Sequence, residues 1–293
     1  MKSRRRTTRS LFFVAILLAA LIAPASAIGA PVKQVALTFD DAFNETRIRQ
    51  IMAIAVSTNT PITFFPTGRS LNMFPNLWKA IGSAGIPIAN HTVNHPNLTK
   101  RYAANGAANV RAEFQGFINI ARNKGIPIVP YWRPPGGAWN SNVLRVAKGM
   151  GLTLSMWTNT FADTAQMCRN GKPYSKVNGS FRNATRTYSA GTSWWSKTSG
   201  GTKVVVLGHA GPAVTVRTLA AVIANYTARG YRFVTIPEMV SGRPSVINWG
   251  SAATAVSAPA KVGGPLRPTS VPSPVDHTNT SLTFAAVAGV TCR

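Results

Sequence analysis

Two of the chain's four histidines, His91 and His95, stand four residues apart in the run Asn-His-Thr-Val-Asn-His, residues 90–95. Acids are scarce as well, only seven in 293 residues. Yet Asp40 and Asp41 close the run Thr-Phe-Asp-Asp, Arg133 opens Arg-Pro-Pro-Gly-Gly, Asp163 closes Asn-Thr-Phe-Ala-Asp and His209 closes Leu-Gly-His. Each piece alone has a plainer explanation: an Asp pair caps a helix, paired histidines sit on a surface, and Arg-Pro-Pro-Gly-Gly makes a rigid turn. Together, at successive strand ends, they read as one site. One Asp and two neutral imidazoles form an N/N/O shell for a divalent metal, with positions left for water and substrate. His91 and His95 converge on such a metal and Asp41 completes its ligands. The other Asp then takes a proton from water held there, Arg133 orients that Asp, and His209 gives a proton to the leaving group.

The elements that must carry these residues alternate. Strand-like runs are expected at 32–39, 61–68, 86–93, 126–133, 152–159, 203–209 and 231–240. Helical periodicity fills the intervals at 44–57, with Asn44 as N-cap, and at 75–85, about 103–124, 140–151 and 215–230. Repeated βα units argue for a parallel sheet covered by helices, and their number favours an α/β fold of the distorted (β/α) barrel type with about seven parallel strands. No phosphate-cradling glycine loop follows the first strand, which weakens a nucleotide-binding reading. Residues 164–200, rich in Ser, Thr, Asn and Gly, read as an irregular insertion.

The ends differ from the middle. Residues 1–27 read as a signal peptide: a basic start, an apolar stretch too short to span a bilayer comfortably, and Ala25 and Ala27 at a small-residue cleavage position. The expected location is therefore secreted, extracellular or in the cell wall, with no stable membrane span after cleavage. The catalytic domain is expected over 33–240, and 242–293, rich in Ser, Ala and Pro, reads as a loose C-terminal tail. A formal net charge of +25 would suggest nucleic acid in a cytosolic protein. In an exported one no nucleic acid is expected, and anionic cell-wall polymers are the better partner. Cys168 and Cys292, the only cysteines, are too few for a disulfide scaffold but allow one bridge tying the tail to the insertion.

In this order, Thr-Phe-Asp-Asp, His-Thr-Val-Asn-His, Arg-Pro-Pro-Gly-Gly and Leu-Gly-His resemble the motifs of the polysaccharide deacetylase family, the NodB homology family, over about residues 33–240. The resemblance implies a distorted (β/α) barrel and metal-dependent removal of acetyl groups from sugar polymers. It assigns Asp40 as the base, Asp41, His91 and His95 as ligands of one divalent ion, usually Zn2+ with Co2+ or others as substitutes, and His209 as the acid. Leu207 would line the acetyl pocket, and a backbone N–H near Tyr131 or Gly137 would help hold the oxyanion. Departures stand beside the match. Ala42 and Phe43 replace a usual Gly-Pro, and Gly136 stands where an aromatic is common. Thr160 and Thr164 replace an Asp and a Trp, leaving Asp163 to orient His209 or Arg133. The expected substrate is an acetylated polysaccharide, a polymer of N-acetylglucosamine such as chitin or peptidoglycan. The alternatives are an O-acetyl xylan esterase of the same family and a carbohydrate-binding protein on a weakened deacetylase scaffold.

Overall fold

The computed structural model describes residues 32–161, 163, 168–169, 172–173 and 202–257. The proposed signal peptide, nearly all of the 164–200 insertion, Cys292 and the last part of the tail lie outside them. The elements in chain order are β1 (Gln34–Asp41), α1 (Glu45–Ser57), β2 (Ile62–Pro66), α2 (Gly68–Met73), α3 (Pro75–Ser83), α4 (Leu98–Lys124), β3 (Tyr131–Trp132) and a 3-10 turn at Pro135–Gly137. There follow α5 (Ser141–Lys148), β4 (Thr153–Leu154), β5 (Asn159–Thr160), β6 (Cys168–Arg169), β7 (Lys172–Pro173), β8 (Lys203–His209), α6 (Ala213–Ala228), β9 (Arg232–Phe233), α7 (Ile236–Ser241) and α8 (Trp249–Ser257).

β1 is buried along most of its length, as expected for a parallel strand covered on both faces. It lies between β2 and β8, parallel to both, with β9 beside its first residues. From β2 the pairing passes through a Phe64–Ile88 bridge to the 88–90 run, and through an Asn90–Trp132 bridge to β3. β3 pairs with β4, and the run of chain that holds β4 continues into β5, which pairs with β8. The parallel pairings therefore lead back to β1, and the fold is the distorted (β/α) barrel that the alternation implied. Ala36, Phe65, Ala89, Tyr131 and Val205, one from each of five runs, pack inside it against Ile236 and Met239 of α7. The opposite face of β1, Val35, Leu37 and Phe39, packs with Ile48, Ile51 and Met52 of α1 in the largest apolar cluster. Among the described residues no helix is long and apolar enough to cross a membrane.

Several elements are shorter or different from their sequence expectation, each for a local reason. The runs expected as strands at 86–93 and 126–133 reduce to isolated bridges and to Tyr131–Trp132. Pro87, Pro127 and Pro130 interrupt them, and proline has no N–H for a ladder. The last expected strand, 231–240, keeps only Arg232–Phe233 and then turns into α7. Thr235 starts that helix by accepting the Glu238 N–H on its side chain, with Pro237 in the first turn, a Thr-x-x-Glu signature overlooked in an apolar run. α4 begins earlier than expected, at an Asn97 cap, and is broken at Asn105–Gly106.

The tail is not loose where it is described. Residues 242–248 return to the barrel's helical layer, and α8 lies against α1 and α3 with Ala252 and Ala255 buried. Arg49 Nη1 donates to the Ala255 carbonyl at 2.8 Å, and the Asn248 N–H to the Ala84 carbonyl at 2.8 Å. Alanine and serine, read as linker composition, here let a helix approach closely. Gly85 makes the crossing possible: its φ is +87°, and a Cβ there would lie 2.2 Å from the Val246 carbonyl oxygen. Gly85→Ala is therefore expected to cost at least about 1 kcal/mol, from positive φ and overlap together. A melting temperature equal to the parent's would show that the returning segment is not packed in this way.

Candidate active site

The in-facing positions of the barrel recur every second residue, so Thr38 and Asp40 follow Ala36, His91 follows Ala89, Arg133 follows Tyr131, and Leu207 and His209 follow Val205. The functional candidates are thus the last inward side chains before each chain leaves the barrel. Register sets Asp40 directly beside His209 on adjacent strands.

Arg133 is fully buried and organises one side. Its Nη1 donates to Asp40 Oδ1 at 2.7 Å and to Thr38 Oγ1 at 2.8 Å, and its Nε to the Ser155 carbonyl at 3.0 Å. The guanidinium lies 4.1 Å from the centroid of the Phe65 ring. Burial pulls the Arg133 pKa down, and Asp40 beside it works in the opposite direction. The backbone of the same residue holds the next: the Arg133 carbonyl accepts from His91 Nδ1 at 2.9 Å. A carbonyl only accepts, so Nδ1 carries the proton and Nε2 is left with its lone pair.

That nitrogen faces Asp41. His91 Nε2 and His95 Nε2 lie 3.4 Å and 3.2 Å from Asp41 Oδ1, and one ligand atom from each of the three lies within 4.8 Å of the others. Asp41 Oδ1 is buried, and neither imidazole meets it in hydrogen-bonding geometry. Burial alone would raise the Asp41 pKa, but His91 and His95 more than reverse this and hold it well below the usual carboxylate range. Asp41 in turn raises the His95 pKa, against burial. A buried, orphaned carboxylate oxygen facing two imidazole nitrogens fits a divalent cation, so the residues present suit the metal that the motifs imply. The backbone is bent to achieve this: Asp41, Ala42, Thr92 and His95 all have positive φ, a strained state that clusters at functional sites.

Opposite Arg133, Asp163 holds His209. Its Oδ1 is 2.8 Å from His209 Nδ1, while Oδ2 accepts the His209 N–H at 2.7 Å and the Thr215 hydroxyl at 2.6 Å. Burial works to lower the His209 pKa, but Asp163, with help from Asp40 and Asp41, pushes it up to about 9. Asp163 therefore bears on His209, and Arg133 on Asp40.

The oxyanion expectation at Tyr131 and Gly137 needs correction. The Tyr131 N–H is already donated to the Val129 carbonyl at 2.8 Å and the Gly137 N–H to the Pro134 carbonyl at 2.9 Å, so neither is a free donor. The Tyr131 ring packs inside the barrel. Leu207 is nearly buried, one inward position below His209. A Cβ on Gly136 would meet nothing within 4 Å, so the space an aromatic would fill there is open, while Phe43 is 42 % exposed. Sequence reading missed Thr38, Thr215 and Glu113. Thr38 was legible from alternation, two positions before Asp40; Thr215 and Glu113 carry no local signal.

With the barrel and its rim established, comparison gives the class. Residues 28–155 match the family model of polysaccharide deacetylases. A peptidoglycan-N-acetylglucosamine deacetylase of Bacillus cereus is 27% identical over 211 residues, covering 71% of this chain and 88% of that protein. A chitooligosaccharide deacetylase of Sinorhizobium fredii is 30% identical over 141 residues; the match spans 46% of this chain and 60% of the relative's length. The solved family 4 carbohydrate esterase from Streptomyces lividans superposes with a TM-score of 0.58 at 22% identity, over 74% of this chain and 100% of that one. Over residues 28–155 the chain thus matches the polysaccharide deacetylase model, and over a longer stretch it is similar to deacetylases of peptidoglycan and chitooligosaccharides.

Proposed function

We propose that this protein is a secreted, metal-dependent N-deacetylase that removes acetyl groups from N-acetylglucosamine polymers, peptidoglycan or chitin-type oligosaccharides. The observation that carries this is the pairing of two oriented proton-transfer groups, Asp40 on Arg133 and His209 on Asp163, on adjacent strands beside the Asp41, His91 and His95 cluster. Those three residues would hold the ion, for which the N/N/O donor set favours zinc, with cobalt a workable substitute. A divalent ion there supplies Lewis acidity toward the acetyl carbonyl and eases deprotonation of water.

The chain's own residues do the rest. Asp40 accepts a proton from the attacking water, held in place by the Arg133 guanidinium. As the C–N bond breaks, His209 passes its proton to the departing sugar nitrogen, so acetate and a free amine leave. Asp163 keeps Nδ1 of that imidazole occupied and supports the cationic ring. The apolar leader motivates export to the wall. All six acids among the described residues, Asp40, Asp41, Glu45, Glu113, Asp163 and Glu238, are buried or half-buried and set against a basic partner. That leaves no exposed carboxylate among the described residues to oppose anionic wall polymers.

The test is acetate release from chitooligosaccharides, peptidoglycan and acetylxylan, before and after chelation. Release from the first two, abolished by chelator and restored by zinc or cobalt, is expected. Preference for acetylxylan would move the substrate class to O-acetyl esters, and absence of release from every glycan with metal present would overturn the proposal.

A further inference from the structure

His91 and His95 are joined by a loop with Thr92 at φ 65°, and His95 itself is at φ 59°. Both ends of the loop are tied locally. Asn90 Oδ1 accepts the Thr92 N–H at 2.8 Å, and Thr92 Oγ1 accepts the His95 N–H at 3.1 Å. The middle is held from another element. The N–H groups of Val93 and Asn94 both donate to Glu113 Oε2 at 3.0 Å, and Asn94 Nδ2 donates to Glu113 Oε1 at 3.2 Å. Glu113 is 4 % exposed, and Arg101 of the same helix donates to its Oε1 at 3.2 Å. One turn further along α4, Gly116 explains how the helix comes so near: a Cβ there would stand 2.8 Å from Val93 Cγ2. A carboxylate suits this place because it only accepts, and it has room for several donors at once.

We propose that Glu113 is the positioning residue of the metal site: it locks the 92–94 backbone so that His91 and His95 stay preset for a divalent cation. This rests on the metal reading of Asp41, His91 and His95 and not on the acetyl chemistry. Loss of Glu113 leaves the part-buried N–H groups of Val93 and Asn94 without their acceptor, so the loop loses its tie to α4 and is free to turn outward to water. His95, half-exposed and at the end of that loop, moves first. Outer partners of metal ligands typically contribute tenfold to hundredfold to affinity.

The experiment measures zinc affinity of the full-length protein by competition with a chromogenic chelator, and the visible spectrum of the cobalt-loaded protein. Parent, Glu113→Ala and Glu113→Gln are compared, with His95→Ala as the ligand-loss control. Glu113→Ala is expected to weaken zinc roughly tenfold to hundredfold and to alter the cobalt spectrum. Glu113→Gln keeps one oxygen for the two N–H groups but turns an amide donor on Asn94 and Arg101, so roughly a threefold to tenfold loss is expected. Lower melting temperature with unchanged zinc affinity and cobalt spectrum assigns Glu113 to the fold alone and overturns the proposal. If Glu113→Ala does not fold, Glu113→Gln decides on the same terms. A parent that binds no zinc more tightly than His95→Ala does would overturn the metal reading and the proposal together. Failure of the deacetylase reading is registered separately, by acetate release.

Discussion

Asp40→Asn is expected to turn over on the order of 10²–10⁴-fold more slowly than the parent, the usual loss for a general base, while still holding its metal. Asp41→Ala, one residue away, is expected to lose metal and activity together. The difference follows from where the two carboxylates point. Asp41 Oδ1 faces both imidazole nitrogens, whereas Asp40 Oδ1 is bound to Arg133 and its Oδ2 lies 3.7 Å from His91 Nε2. An asparagine at 40 keeps an oxygen for Arg133 but has no basic oxygen for the water's proton. It also leaves Arg133, which is 0 % exposed, without a counter-charge. Breaking a buried ion pair costs about 3–5 kcal/mol at its most severe, so turnover must be expressed per folded, metal-loaded molecule. Near-parental turnover by metal-loaded Asp40→Asn would remove Asp40 from the base role.

Asp163→Asn should move the alkaline limb of the pH–rate profile toward acid. In the parent the working form of His209 is the protonated one. Activity is therefore present below the His209 pKa and falls as pH rises through it, near 9. A cation at Asp41 offsets the help that Asp40 and Asp41 give and brings the parental limb somewhat lower. Asp163 is the strongest of the groups that raise this pKa, so the contrast between parent and variant persists. If its loss returns the imidazole to an ordinary pKa near 6.5, the protonated fraction at pH 8 falls about 30-fold. At pH 6 the same variant should lose far less through titration. An asparagine also turns a donor toward Nδ1 or leaves it free, which lowers activity at every pH by misplacing the ring. Profiles of the same shape and midpoint for the two proteins would show that His209 is not the acid.

Much of the site could be read before any coordinates, because its chemistry uses residue types this chain otherwise avoids. Scarcity drew attention to Asp40, Asp41, His91, His95, Asp163 and His209, and two-residue alternation accounts for the common direction of Asp40, His91 and His209, whereas Asp41 and His95 join them through positive φ. What stayed hidden depends on partners far apart in sequence. Glu113 meets Asn94 from 19 positions away in sequence, and Asp163 meets Thr215 from 52 positions away. The N–H groups of Tyr131 and Gly137 could be judged only when their acceptors were located. Prolines 87, 127 and 130 were visible, yet the apolar residues between them outweighed their missing donors in the strand assignment. Thr235 and α8 failed in the opposite sense: polar capping and small side chains were taken for strand and linker when packing had made them helix.

Arg133 has one further consequence. Its guanidinium places Asp40 and its carbonyl places His91, so the spacing between proton acceptor and ligand is set by the bond lengths of a single amino acid, like a gauge block clamped between two jaws. Neither contact involves the rim loops beyond the strands. Those loops, including the open ground at Gly136 and the bare phenyl ring at 43, can be lengthened, shortened or exchanged for a different glycan without recalibrating the reacting centre. An engineer seeking a new substrate would therefore begin at position 43, leave 133 untouched, and respect the positive φ of Gly136.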